Sequence, residues 1–323
     1  MFFLFFVFFV YFVVNKCFVN KFDVVGVGRN CVDYLAVLPT FPEPDSKVPM
    51  KELKMVGGGQ ATTALVALSR LGLKTAYVGV VGDDPGGRLV LDGLRREGVD
   101  VANVVVAGNC STPAALIFVD ESAGTRTIAY QPTPPDRLTP GMVKLEMLLS
   151  ARCLMIDPHE TEFGLKIIPL VKARGIPIIY DAEHMAEGFY EMLAAADYII
   201  GSEDVIQTLE AVTPEEALKR LLSFGARAVV ITLGAKGSIA LTANGLIWCP
   251  AYRIEVVDTT AAGDAFHAGF AYGILKGWEL KKILTFSNAM GALVCRALGG
   301  RESLPSLAEV NGFIREWGIG NGE

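Results

Sequence analysis

Residues Val256 to Phe270 read VVDTTAAGDAFHAGF: two aspartates bracket a run of small residues, and an apolar helical pattern follows at once. The stretch predicts a strand ending at Asp258, a turn through Ala261, Ala262 and Gly263, and a helix beginning near Asp264 with Phe266, Phe270, Ile274 and Leu275 on its apolar face. Such a turn leaves backbone N–H groups unpaired at a helix N-terminus, where they and the helix dipole favour an anion. Small side chains let a phosphate approach that backbone closely. Asp264 has two readings there. As an N-cap it stabilises its helix by about 1 kcal/mol. As a general base it accepts the proton of a hydroxyl that attacks a phosphoryl group.

Upstream, the short β-branched runs FDVVGVG, TAYVGVVG, RCLMID, IPIIYDA, DYIIGS and AVVITLG alternate with segments of helical period. That alternation predicts an α/β domain whose parallel sheet is covered by helices on both faces. The helix after GGGQ has Ala61, Ala64, Leu65, Leu68 and Leu71 on one face and Gly72 at its end. Three stretches interrupt the pattern: residues 34–38 with 47–55, then 114–120, then 125–130. They predict antiparallel strands, the last two joined by a hairpin around Ser122 to Gly124, in a small sheet suited to be a lid over a cleft. A second hairpin is expected to turn at Asn244-Gly245.

Composition narrows the classes. With 323 residues, 51% hydrophobic and 20% charged, the chain is large enough for one sizeable α/β domain or two small ones. A formal charge of -6 without a basic block argues against a nucleic-acid partner. The 6 cysteines contain no C-x-x-C pair, which argues against a zinc site or a disulfide framework and for a cytoplasmic location. The opening MFFLFFVFFVYFVV is shorter than the roughly 20 apolar residues of a spanning helix. It also lacks the basic start and small-residue cleavage site of a signal peptide. Residues 1–21 are therefore expected to be an apolar extension foreign to the fold; a membrane anchor and an added strand are the alternatives. GVGRNC replaces the third glycine of a dinucleotide fingerprint by Cys31 and precedes no helical pattern, which argues against a Rossmann oxidoreductase.

DTTAAGDAFHAGF resembles the second signature of the ribokinase-like (PfkB) carbohydrate kinases, and GGGQATTALVALSRLG resembles their glycine-rich first signature. VGDDPGG, GVDV, RTIAY, ITLGAKGS and SNAMGAL extend the resemblance over nearly the whole chain from residue 22, while VDYLAVLPTFPEPDS, RTI and SEDVIQTL are most similar to ketohexokinases and other fructose-type kinases. The resemblance implies a three-layer αβα sandwich with a mostly parallel central sheet and a small β-sheet lid, one kinase domain over residues 22–323. It implies ATP-dependent phosphorylation of a primary hydroxyl of a small sugar, a ketohexose such as fructose first. Ribose, 2-keto-3-deoxygluconate, a sulfonated or phosphorylated fructose and a nucleoside are the other acceptors. A catalytically silent sugar- or nucleotide-binding protein is the alternative outside enzymes.

Residue by residue, the resemblance makes Asp264 the base and the backbone of Ala261, Ala262 and Gly263 the anion hole. Asp33 matches an aspartate that holds sugar hydroxyls, a task suited to a carboxylate that accepts from two hydroxyls at once; a surface carboxylate at a strand end is the other reading. Gly58 and Gly59 would let the sugar approach backbone, or form an ordinary tight turn, and Gln60 and Thr63 stand where relatives often carry Asn. Thr232, Gly234 and Gly237 match contacts to ATP phosphates and ribose, and Asn288 and Ala289 lie in the helix beside the adenine. Arg126 in the lid either pairs with an anionic group of substrate or phosphate or is solvated. Mg²⁺ should accompany ATP, but the N-x-x-E motif of relatives reads Ser202-Glu203-Asp204-Val205 here. Glu203 and Asp204 are left to act on the metal through water, or only to begin a helix. Asp258 and Thr260 match residues that hold K⁺ in several relatives, and a homodimer through the lid is expected by the same resemblance.

Overall fold

Apolar side chains on both faces of the central strands mean that this sheet must be covered twice. The computed structural model describes residues 20–317 apart from Asn109, Gly124 and residues 132–137. Nearly all of the expected extension, residues 1–21, lies outside the described residues, as does the tip of the lid hairpin at Gly124. The first eight strands are β1 (Phe22–Val27), β2 (Cys31–Leu38), β3 (Glu52–Gly58), β4 (Thr75–Val78), β5 (Val80–Gly82), β6 (Val105–Ala107), β7 (Ala114–Asp120) and β8 (Thr125–Tyr130). The remainder are β9 (Ala151–Ile156), β10 (Ile178–Asp181), β11 (Tyr198–Ser202), β12 (Ala228–Thr232), β13 (Ser238–Thr242) and β14 (Gly245–Cys249).

The large sheet has the order β14-β13-β12-β11-β10-β9-β1-β4, parallel from β12 to β4, with β13 and β14 added antiparallel at one edge. Successive residues point to opposite layers. On β9, Leu154 and Ile156 pack with Phe163 and Ile167, whereas Cys153 and Met155 pack with Leu65 and Phe270. The three-layer αβα arrangement follows. Full burial of a side chain such as Leu65 contributes about 1.5–3 kcal/mol, and both layers are lined with such residues.

The helix Gln60–Arg70 buries Ala61, Ala64, Leu65 and Leu68, as its period predicts. It starts after Gly59, whose φ of 101° is open to glycine and strained for any residue with a Cβ. The helix Ala262–Leu275 packs against Leu280–Val294 so tightly that a Cβ on Gly269 would lie 2.8 Å from the Ser287 Cα. No helix among the described residues is long and apolar enough to cross a membrane.

The lid forms from β3-β2-β7-β8, with several departures from expectation. Its first strand begins at Cys31, before residue 34. Its second spans Glu52–Gly58, not 47–55, because Pro49 has no N–H to offer the ladder. The sheet is mixed, not antiparallel: β2 and β7 are parallel, as two strands joined by a long excursion through the body can be. TAYVGVVG divides at Gly79 into β4, in the large sheet, and β5, which pairs with β6 in a sheet of its own. The second hairpin turns one residue early, since Thr242 already faces Gly245.

Candidate active site

The helix Ala262–Leu275 presents its N-terminus near the C-terminal ends of β9 and β10, the edge at which parallel α/β sheets bind ligands. Ala261 caps it in a left-handed conformation, φ 65°, with no capping side chain. The helix therefore starts before the expected position, and Asp264 is its third residue and not its N-cap. No strand precedes it either: residues 251–257 join no ladder, and the Val257 N–H donates to the Cys295 carbonyl at 2.8 Å, at the end of the neighbouring helix. Asp258 is buried and organises the turn. Its Oδ1 accepts from the Thr260 N–H at 2.9 Å and hydroxyl at 2.7 Å, and its Oδ2 accepts from the Gly299 N–H at 3.1 Å.

Asp264 faces a small cavity of about 20 Å³ shared with Gln60, Asp157, Asp181 and His267. Asp157 and Asp181 are the residues with which β9 and β10 run out. Asp157 accepts from the Arg29 N–H at 2.6 Å and the His159 N–H at 3.0 Å. Gln60 Nε2 donates to Asp181 at 3.3 Å and to Glu183. His267 has Nδ1 2.8 Å from the Gly263 carbonyl and Nε2 3.6 Å from Asp181. Burial pushes Asp157 up to about 7 and Asp181 up to about 6; the Arg29 amide opposes the first and His267 the second. Asp264 is pushed well above the usual carboxylate range by burial, then by Asp181 and Glu183, against the pull of Arg301. A carboxylate so placed binds a proton avidly, which is the property a general base needs.

Asp33 lies on lid strand β2 and accepts the Cys31 thiol hydrogen at 2.9 Å. Burial raises its pKa, opposed by that thiol bond and by Arg301 and Arg29. A Cβ on Gly58 would displace the Asp33 carboxylate, and a Cβ on Gly57 would displace the Arg301 guanidinium. Gln60 reaches the acid cluster. Thr63 does not line the small cavity: it is buried beneath the turn, where its hydroxyl accepts from Arg301 Nε at 3.4 Å. Arg126 is docked and not simply solvated. Its Nη1 donates to the Thr259 hydroxyl and lies 3.9 Å from Asp258, so it joins the lid to the turn before the helix Ala262–Leu275.

On the opposite side of the helix N-terminus a cavity of about 680 Å³, of nucleotide dimensions, is lined by Thr232, Gly234, Gly237 and Asn288 and ends at Ala262 and Gly263. The Asn288 amide donates to the carbonyls of Cys249 and Pro250, 3.1 Å each. Ala289 does not line the cavity. One residue along a helix is a rotation of about 100°, and Ala289 points into the core with no exposure, while Gly291 and Ala292 take the wall. Glu203 and Asp204 stand on the wall, Glu203 pairing with Lys236 at 3.2 Å, while Val205 is wholly buried. No group of three metal-ligating side chains exists among the described residues. Two adjacent carboxylates nevertheless fit Mg²⁺, which commonly uses one or two carboxylates with water and substrate phosphates.

Sequence reasoning did not single out Asp157, Asp181, Glu183, His267 or Arg301. RCLMID and IPIIYD each end a parallel strand in aspartate, a usable signal. His267 stands one helical turn beyond Asp264, within VVDTTAAGDAFHAGF. Nothing in the local sequence marks Arg301.

Between about pH 4 and 7 the folded chain keeps protons on Asp157 and Asp181 that the unfolded chain, with carboxylates near 3.8, has released. Stability contributed by these groups is therefore lost as pH rises through that window. His159, pushed down to about 4 by burial, works in the opposite direction. The informative contrast is with Asp157→Asn, which removes one titration and leaves His159. Wild type should lose several degrees more Tm than this variant between about pH 5 and about pH 8; equal losses refute the assignment.

The pfkB family of carbohydrate kinases matches this sequence over residues 21–307. The 5-dehydro-2-deoxygluconokinase of Clostridium perfringens is 29% identical to it, over 92% of this chain and 94% of that protein. The Arabidopsis thaliana ribokinase complexed with ribose and ATP has a TM-score of 0.79 at 24% identity, covering 91% of this chain and 99% of that one. A candidate ribokinase II of E. coli in complex with ATP and Mg²⁺ has a TM-score of 0.81 at 23% identity, with the same coverage. The two structural likenesses concern the fold. The family match runs from the first strand to the start of the last helix, and the chain belongs to the pfkB family of carbohydrate kinases.

Proposed function

We propose that this kinase transfers the γ-phosphoryl group of ATP to a terminal hydroxymethyl beside a ketone, in a small keto sugar acid. The carrying observation is that one helix N-terminus separates two cavities. Asp264 faces the smaller one, and Ala262 and Gly263 close the larger. An acceptor hydroxyl on the Asp264 side gives up its proton to that carboxylate as its oxygen attacks phosphorus. The backbone N–H groups of the turn meet the charge that spreads over the transferred oxygens. Asp33 orients the sugar, and Arg126 holds the lid down over the turn so that water is excluded. Mg²⁺ held through Glu203 and Asp204 would neutralise nucleotide phosphate charge.

The sequence leads to a free ketohexose as first acceptor. The relative's name gives 5-dehydro-2-deoxygluconate, which has the same ketone beside a terminal hydroxymethyl and adds a carboxylate at its far end. The shared α-hydroxyketone supports both readings, and the likeness over 92% of the chain favours the acid. ADP release should show kcat/KM for the acid at least about 10-fold above fructose, ribose, 2-keto-3-deoxygluconate or a nucleoside. Fructose as the best acceptor would restore the ketohexose. Binding without ADP at any sugar would make the chain a silent binding protein. Asp264→Asn should fold normally and lose about 10²–10⁴ in kcat; retained turnover per folded molecule would remove the base assignment.

Two further readings belong with this one. Asp258 and Thr260 support a K⁺ site beside the turn, although the carboxylate oxygens already serve the loop. Equal rates in potassium and choline chloride would remove it. The outer lid face exposes Tyr34, Leu53, Met55 and Leu116, with Tyr34 opposite both Met55 and Leu116. An apolar face on a sheet with an open edge supports a homodimer through the lid. Light scattering should give twice the chain mass, and Leu116→Lys should return the monomer; a monomer at all concentrations rules this out.

A further inference from the structure

Arg301 is the only lysine or arginine among the described residues that is buried, at 9% exposure, and it forms no ion pair there. Its guanidinium is held by neutral groups alone. Nη2 donates to the Gly58 carbonyl at 2.7 Å and to the Thr62 hydroxyl at 2.6 Å, and Nε donates to the Thr63 hydroxyl at 3.4 Å. Nη1 lies against Gly57, where a Cβ would collide with it. A buried cation with no paired carboxylate carries a substantial desolvation cost. Its backbone shows what the cost obtains.

The residues just before it are fastened to the phosphate turn. Gly299 donates to Asp258, and a Cβ on Gly300 would meet the Ala261 Cβ at 2.9 Å. One residue later the side chain of Arg301 crosses to the glycine turn before the helix Gln60–Arg70. The chain between 299 and 301 is thus a strut between two turns that lie about 200 residues apart in sequence. We propose that Arg301 is a positioning residue for phosphoryl transfer: it holds the turn that receives the acceptor in register with the turn that receives the phosphate. The proposal rests on the assignment of Asp264 as base.

Charge supports the geometry. Arg301 opposes the upward shift of both Asp33 and Asp264, the two carboxylates set to meet the acceptor. The other groups whose charges act on Asp264 are Asp181 and Glu183 from the end of β10 and Asp157 from the end of β9, all of them acidic. Arg301 is the cation on the opposing side of that balance. A strut without charge would hold the turns and leave Asp264 to take a proton at higher pH.

Arg301→Met keeps length and volume and removes the donors and the charge. It should lower kcat about 10- to 100-fold and raise the acceptor KM about 10-fold, with the ATP KM within about 2-fold. The acid limb of the kcat profile should move to higher pH. Arg301→Lys should return that limb most of the way while recovering kcat only in part, because an ammonium cannot span three acceptors in one plane. If Arg301→Met does not fold, Thr62→Val removes the 2.6 Å acceptor, together with the hydroxyl's own bond to the Gly58 carbonyl at 2.8 Å, and should shift acceptor KM and kcat in the same direction. Lower Tm with kcat, both KM values and the acid limb unchanged per folded molecule would overturn the proposal. An inactive Asp264→Asn beside that result would show that the base assignment stands and the strut alone has failed.

Discussion

The helix Ala262–Leu275 is held in the core along nearly its whole length, and the site depends on that immobility. Glycine at 269 lets the backbone of the next helix come within side-chain distance, and glycine at 273 makes room for the Ile283 side chain. Phe266 and Phe270 fill the layer beneath the sheet. A helix clamped this way cannot shift along its axis without opening voids, and interiors packed at crystal density resist that. Its first turn therefore stands in a fixed place between two cavities. The left-handed Ala261, strained in isolation, persists because the surrounding contacts determine it fully.

Parallel strands bring a second consequence. All of them run out at one edge, so residues that end β9 and β10 converge on the helix terminus whatever their distance in sequence. Asp157, Asp181 and Asp264 come together there with Glu183. Like charges drawn out of water raise one another's proton affinity. Amide N–H groups, His267 and Arg301 offset part of that repulsion, leaving a cluster that binds protons strongly yet stays folded. Basicity at Asp264 is in this sense a collective property of three strand and helix ends.

The fold was legible wherever periodicity is local. GGGQATTALVALSRLG carries its helix face in its spacing, and the alternation of β-branched runs with helical segments gives the layers. Legibility stopped where partners are remote. Whether β2 and β7 run parallel depends on the path of the chain between them, and no residue in either strand records that path. The chain before Asp258 contains β-branched residues, yet it joins no ladder and the Val257 N–H bonds to the end of the neighbouring helix, so strand propensity is overridden. For the site, VVDTTAAGDAFHAGF supplied the turn and Asp264 because they are contiguous. Ala289 was misplaced because one step of helical phase decides between cleft and core. Arg301 was invisible because its whole significance lies in two turns on which its own neighbourhood bears no mark.

Asp33 belongs to the small sheet, not to the body that carries Asp264. The apolar contact beneath that sheet is modest: Leu35, Val37, Ala115, Ile117 and Val119 against Leu298. On the proposed assignment, a sugar held between Asp33 and the helix terminus would act as a keystone between the two parts. It would add to the cohesion that Arg126 and Arg301 already give. Recognition and completion of the enclosure would then be one event.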